Sequence, residues 1–600
     1  MTRALFATLA FLFPLLIFAQ EAYWQQKADY SIDVKLNHTS HQFEGKQTVK
    51  YTNNSPDELT KVFFHLYFNA FQPGSSMDVR SRSISDPDPR IGARIADLKE
   101  DEIGFHKINS ITQDGRDVGY TIDGTVMTVI LEKPLSPSAF TELEMTYNSQ
   151  VPVQIRRSGR NNAEGIDYTM TQWYPKLAEY DKDGWHTDPY VSREFHGVFS
   201  SFKVNIEMDE SFVIGGTGQL DKKSVGSESG TTMWQFSADN VHDFAWAADP
   251  DFVVSSVQVA SGPTLFFYHL NDTSINENWN RLEPKTVELF EIMNAKFGKY
   301  PYSQFSVIQG GDGGMEYPMC TMISGTGSFG GLVSVTVHEA IHNWYYGVIA
   351  TNELKYPWMD EGFTTYAQNF VLDSLRKKSS YNPHIRSYSG YVSYVSQNEE
   401  EPLTTHADHY WHNRGYGNAA YSKGCIFLNQ LRYIIGDESF DRAIIEYYEL
   451  WKFKHPTPQD FKRVLERRSG IELDWYFEAW LGTTNKIDYA ITGVSAEGKS
   501  TIIKLENLGE MSMPLEILVE TKSKTLTYYI PLERMRGGHD DASLTLKSAW
   551  PWVYSNYNLK TEFPLKDIVK ITIDPNHMMA DIDRSQNVYP MVVDAVESDE

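Results

Sequence analysis

Apolar and polar residues alternate from Tyr30 to about Val257: Tyr30, Ile32, Val34 and Leu36 share one parity, as do Phe202, Val204, Ile206 and Met208. A period of two marks strands with one buried face. The stretches between are rich in Asp, Gly, Pro and Ser, as over 83–89, so this part is expected to be a large antiparallel β domain. Near Asn276 the period changes. Val287, Phe290, Met293 and Phe297 follow helical spacing, with Gly298 and Pro301 as a stop. A strand over 305–309 then leads into Gly310-Gly311-Asp312-Gly313-Gly314, and helical patterns dominate to about Leu481. Among them, Thr457-Pro458-Gln459-Asp460 supplies an N-cap, a first-turn proline and an acidic residue three positions on. Alternation returns after Thr483, in Leu515, Ile517, Val519 and in Leu526, Tyr528, Ile530, and ends near Tyr589 before a short acidic tail. The pattern predicts a multidomain α+β chain: an N-terminal β domain over 20–258, a mostly helical domain over 259–484 and a C-terminal β-sandwich-like domain over 485–600.

Charge and the N-terminus narrow the setting. The 600 residues carry 54 Lys and Arg against 79 Asp and Glu, a net charge of -25, whose average field repels nucleic acid and anionic membranes. Arg3, the apolar run Leu5 to Phe18, and Ala19 before Gln20-Glu21 have the form of a cleaved secretory signal peptide over 1–19. The run is too short for a membrane anchor, which needs about 20 apolar residues. No later segment is apolar enough to span a bilayer, so the mature chain is expected to be exported without a transmembrane span, to a periplasm or the cell exterior. Cys320 and Cys425 are the two cysteines. One bridge and two buried free thiols are both open readings.

The chemistry is concentrated in the helical part. His338-Glu339-Ala340-Ile341-His342 is an HExxH sequence. Two histidines one helical turn apart can face one ion while Glu339 stands beside it as general base. Val333, Val337, Ile341 and Trp344 give the same helix a separate apolar stripe. A catalytic zinc needs a third protein ligand and an open position. Glu361, eighteen intervening residues after His342 and at the start of another helix, supplies that ligand. The run from His406 to His412 has no matching partner cluster and reads as packing or rim histidines.

HExxH followed by eighteen residues and a glutamate resembles the membrane alanyl aminopeptidase family of zinc peptidases (gluzincins), to which leukotriene hydrolase also belongs. Two further segments carry the resemblance. Gly313-Gly314-Met315-Glu316-Tyr317 is similar to the family's Gly-Ala-Met-Glu-Asn, with Gly314 and Tyr317 in place of Ala and Asn, and Ala420-Tyr421-Ser422-Lys423-Gly424 is similar to its catalytic-tyrosine segment. Gln172-Trp173-Tyr174-Pro175 and the strand over 202–208 resemble its saddle-shaped N-terminal β domain. The resemblance implies a thermolysin-like zinc-peptidase domain and one zinc per chain on His338, His342 and Glu361. Glu339 would be the general base and Tyr421, with Tyr416 as rival, the donor to the oxyanion. Glu316 and Gln172 would hold the free amine of a peptide substrate, and Gly313 and Gly314 would line the peptide. Relatives often carry a glutamate where Gln368 stands, and 485–600, which reads as β, is not expected to form the large helical C-terminal domain that many of them have. An endopeptidase of the same geometry, and a binding protein with a vestigial zinc site, are the competing readings.

Overall fold

The computed structural model describes residues 23–378, 380–538 and 541–590. The expected signal peptide over 1–19 lies outside the described residues. Among those described, no helix is long and apolar enough to cross a membrane.

Alternation does produce the N-terminal sheets. Lys27–Asn37 lies in the middle of an eight-stranded sheet, antiparallel to Gln42–Thr52 and parallel to Ser200–Asp209. The parallel register sets Tyr30 beside Phe202, Ile32 beside Val204 and Val34 beside Ile206. All six are at most 5% exposed, so the period-two face is the core face. Two four-stranded sheets cover it. One contains Tyr168–Met170 paired with Trp246–Asp249, and the other Leu59–His65 paired with Val126–Leu135.

The middle unit has a five-stranded sheet in the order Phe252–Gln258, Thr264–Leu270, Gln304–Gln309, Cys320–Ile323, Gly314–Tyr317. The strand Phe252–Gln258 lies on the N-terminal side of the boundary expected at 258, yet pairs with Thr264–Leu270 in this sheet. A period of two reports a buried face and not which sheet owns it. Gly314–Tyr317, at the end of that order, is an edge strand whose one neighbour is Cys320–Ile323. Helix α1 (Asn276–Lys296) buries Trp279, Leu282, Leu289, Phe290 and Met293. Helix α2 (Phe329–His342) begins at Ser328, whose side chain accepts from Gly331 N, and buries Val337 and Ile341 on one stripe. Helix α3 (Pro357–Leu375) starts on a proline with Asp360 in its first turn, as helix N-termini favour. Helix α4 (Gly424–Ile435) crosses α3 so closely that a Cβ placed on Gly362 would lie 2.8 Å from Gly424 Cα. The capping box expected at Thr457 is formed, with Asp460 bonded back to Thr457 N.

At the C-terminal end, a three-stranded sheet (Tyr489–Glu497, Ser500–Asn507, Asn556–Thr561) and a five-stranded sheet holding Leu515–Thr521 and Thr525–Ile530 make the expected β unit. Its core is continuous with that of the helices, and Tyr433 of α4 donates to Pro514 O at 3.0 Å. Cys320 and Cys425 are both buried and free.

Candidate metal centre and cleft

Helix α2 carries His338, Glu339 and His342 to the foot of α3, where Glu361 stands. His338 Nε2 lies 3.1 Å from Glu361 Oε2, His342 Nε2 lies 3.3 Å from the same oxygen, and the two Nε2 atoms are 3.3 Å apart. Ligands at about 2.0–2.1 Å from a tetrahedral zinc stand about 3.3–3.4 Å from one another, so this near-equilateral triangle fits one zinc ion. The far nitrogens fit as well. His338 Nδ1 meets Gln368 Oε1 at 3.0 Å and His342 Nδ1 meets Asp360 Oδ1 at 2.5 Å. Acceptors at both Nδ1 atoms keep the protons there and turn the Nε2 lone pairs to the centre of the triangle.

Charge is concentrated here. Burial pulls the His342 imidazole down, but the Asp360 and Glu361 carboxylates outweigh it and hold the group well above its ordinary value. Burial also works to raise Glu361, yet His342 and His338 hold it far below the carboxylate range. Glu339, 7% exposed, is lifted by burial to about 7 against the opposing pull of His338; a dication beside it works in the direction of His338.

Tyr421 lies where the rewound segment Asn418–Lys423, a π-helical turn, enters α4. Its hydroxyl donates to Glu361 Oε1 and its ring stacks on His338, centroids 5.7 Å apart. Tyr416, its rival on sequence, is buried and donates instead to Glu194 Oε1 at 2.6 Å. A second π-helical turn, Asn343–Val348, follows α2 directly. Such turns recur at functional sites.

The edge strand Gly314–Tyr317 forms the wall opposite. A Cβ on Gly314 would lie 2.1 Å from Glu339 Oε1, so the bare backbone at this position gives the Glu339 carboxylate its place. Gly313, at φ +92, makes the turn into the strand. Glu316 is 6% exposed and sits within 4.8 Å of ligand atoms of both Glu339 and His342. It also lies within 4.8 Å of ligand atoms of Glu194 and Glu353, and Arg157 faces Glu194 and Glu316. Arg157 Nη2 donates to Glu194 Oε2 at 2.5 Å, and Nη1 is 3.8 Å from Glu316 Oε1. Burial raises the Glu353 carboxyl well above its usual range, and the carboxylates around it add to the effect. With Glu353 held towards its neutral form, Glu194 and Glu316 share the one guanidinium of Arg157. Gln172 is placed differently: its amide oxygen accepts from Tyr317 OH at 2.9 Å and its nitrogen faces Asp243 at 3.5 Å. Tyr317 points inward and engages the glutamine.

Four of these residues were not singled out in the sequence. Asp360 had a signal, since an acid immediately before a ligand and at a helix start is placed to reach back to a neighbouring imidazole. Arg157 and Glu194 sit in irregular segments far from the histidines in sequence, Glu353 sits in the turn between α2 and α3, and tertiary packing brings them together. Asp312, in the glycine-rich run, fastens that run to the N-terminal unit by pairing with Arg156 and accepting from Arg157 N at 2.5 Å. The run from His406 to His412 makes no three-residue metal-binding group among the described residues.

Residues 285–480 match the model of the peptidase family M1 domain. The chain is 24% identical over 257 residues to a leukotriene A-4 hydrolase homolog of Botryotinia fuckeliana, covering 40% of this chain and 38% of that protein. It is 23% identical over 212 residues to a probable aminopeptidase 2 of Sulfurisphaera tokodaii, covering 34% and 27%. The chain thus spans less than half the length of these relatives. An M1 zinc metallopeptidase from Deinococcus radiodurans, solved as a mutant bound to a Tyr-Ser-Ala substrate, shares the fold with a TM-score of 0.53 at 14% identity, over 76% of this chain and 93% of that one.

Proposed function

This chain carries a peptidase family M1 domain, and on that premise we propose that it is a zinc-dependent aminopeptidase that removes N-terminal residues from peptides with a free amine. The observation that carries the reading is the position of Glu316, which belongs at once to a tight group with Glu339 and His342 and to another with Glu194 and Glu353. A cationic amine bound among these carboxylates has its own peptide bond next to the metal centre, at a distance one residue can span.

Zinc bound to His338, His342 and Glu361 supplies the Lewis acidity that makes water nucleophilic near neutral pH and polarises a carbonyl. Glu339 takes the proton of the attacking water on a carboxylate oxygen and delivers it to the leaving amine nitrogen. The Tyr421 hydroxyl turns from Glu361 to donate to the carbonyl oxygen as that atom gains negative charge. The free edge of Gly314–Tyr317 pairs with the peptide backbone as an added strand. Glu316 receives the α-ammonium, with the neighbouring Glu194 carboxylate keeping the surrounding field negative.

Glu316→Ala tests the amine site. A charge-assisted hydrogen bond contributes on the order of 1.5–3 kcal/mol, so kcat/KM for free-amine substrates should fall roughly ten- to a hundred-fold at ~1.4 kcal/mol per decade. Acetylated counterparts should be poor substrates for native protein and hardly worse for the variant, having no ammonium to lose. Native protein that cleaves both kinds equally well would turn the reading towards an endopeptidase.

Export is part of the proposal, on the strength of Arg3, the apolar run to Phe18 and Ala19 before Gln20. Protein recovered from outside the cytoplasm is expected to begin at or close to Gln20 when its N-terminus is sequenced; an intact Met1 in that fraction counts against cleavage.

A further inference from the structure

Behind the cleft, the N-terminal unit turns a second set of metal-ligating side chains towards the helices. The hairpin of Tyr180–Asp181 with Gly184–Trp185 runs straight into His186. One ligand atom each from Asp181, His186 and His196 lies within 4.8 Å of the other two. His186 Nε2 and Asp181 Oδ2 are 2.9 Å apart yet out of line for a hydrogen bond, and His196 Nε2 has no partner among the described residues. Both imidazoles are more than nine-tenths buried, at 7% and 6% exposure. Unpaired buried nitrogens are costly, and here they converge.

The same deficit continues into an adjoining cavity of about 840 Å³, which Asp181, His196, Glu179 and His455 all line. Glu179 is 1% exposed, and neither of its oxygens meets hydrogen-bond geometry with a partner among the described residues. His455 Nε2, also unpartnered, stands 3.6 Å from Glu179 Oε2. The other nitrogen of His455 bonds Ala350 O at 2.6 Å, which leaves the Nε2 lone pair facing the carboxyl group.

We propose that Asp181, His186 and His196 bind a second divalent transition-metal ion, separate from the catalytic one, with Glu179 and His455 completing its surroundings on the cavity side. Two imidazoles and a carboxylate select a borderline ion such as zinc, cobalt or nickel over calcium or magnesium. Asn352, from the helical unit, meets His186 Nδ1 at 3.1 Å. Its amide oxygen accepts from Lys355 N at 3.1 Å, which turns the amide nitrogen to that imidazole and docks His186 on the helical unit. The ion closes the loop over 181–196 on itself, next to the Asn352 contact that docks the loop on the helices. That loop carries Glu194 into the cleft, and Phe195 N donates to Glu353 Oε2 at 3.1 Å, so the second site steadies the carboxylates on which amine binding rests.

The test uses the full-length protein, stripped with a chelator, reloaded with excess zinc or cobalt and freed of loosely held metal. Elemental analysis is expected to find two ions per chain, falling to one in Asp181→Asn and in His196→Gln. His342→Ala should lose the catalytic ion alone. Loaded with cobalt, this variant should keep the visible d–d bands of a nitrogen-ligated ion, a readout that leaves the second site unaltered. Asp181→Asn and His196→Gln proteins that hold as much metal as native, or a colourless cobalt-loaded His342→Ala protein, overturn the proposal.

Discussion

Replacing Glu339 by glutamine is expected to lower kcat by about 10²- to 10⁴-fold, the range that a positioned proton-transfer group supplies, while zinc remains bound. The amide matches the carboxylate in size, so the packing against Gly314 survives and the ligand triangle of His338, His342 and Glu361 is untouched. The lost property is basicity. Burial raises the Glu339 carboxyl while His338, and a dication bound beside it, pull it back down, and the carboxylate can take a proton; glutamine accepts no proton at all. Turnover of an aminoacyl chromogenic substrate, measured beside zinc content, separates this from metal loss. A variant that keeps both its zinc and its activity would place the base elsewhere.

Tyr421→Phe should be the next most damaging change, lowering kcat by about 10²- to 10³-fold with KM little altered, since one well-placed donor to an oxyanion contributes about 2.7–4 kcal/mol. Burial first, and then the Glu361 carboxylate, push the Tyr421 phenol well above its ordinary value, so the hydroxyl keeps its proton and remains a donor at working pH. Tyr416→Phe is the control. Its hydroxyl is committed to Glu194, and its loss should act on substrate affinity more than on kcat. Equal kcat losses in the two variants would remove the distinction drawn between these tyrosines.

Much of this was legible in the chain, because local periodicity and the spacing of a metal site are local properties. The parity of Tyr30, Ile32, Val34 and Leu36 gave the buried face of the central strand. HExxH placed two imidazoles one turn apart, and the proline-led helix start at Pro357 located Glu361 on the next helix. Ownership of strands was less legible, as Phe252–Gln258 shows, since alternation reads the same in either sheet. The polar end of the cleft was the least legible part. Arg157 and Glu194 come from irregular backbone, where no period constrains the direction of a side chain, and they meet Glu316 and Glu353 only after the N-terminal unit docks on the helices. Gln172 illustrates the same limit: a polar residue in a family-like segment was visible, but its bond to Tyr317 depends on a change more than a hundred residues away.

The crossing of α3 and α4 at Gly362 and Gly424 acts as a gauge block for the reaction centre. Glu361 precedes one glycine by a single residue and Tyr421 precedes the other by three, so the spacing between the two backbones sets how far the phenol stands from the ligand carboxylate. One added methyl at Gly362 meets main-chain atoms of Gly424, which cannot swing aside as a side chain can, and the helices must part. Size at these two positions is therefore under the control of chemistry carried out by their neighbours. A mutation that touches neither substrate nor metal can put the reaction out of alignment simply by thickening the joint.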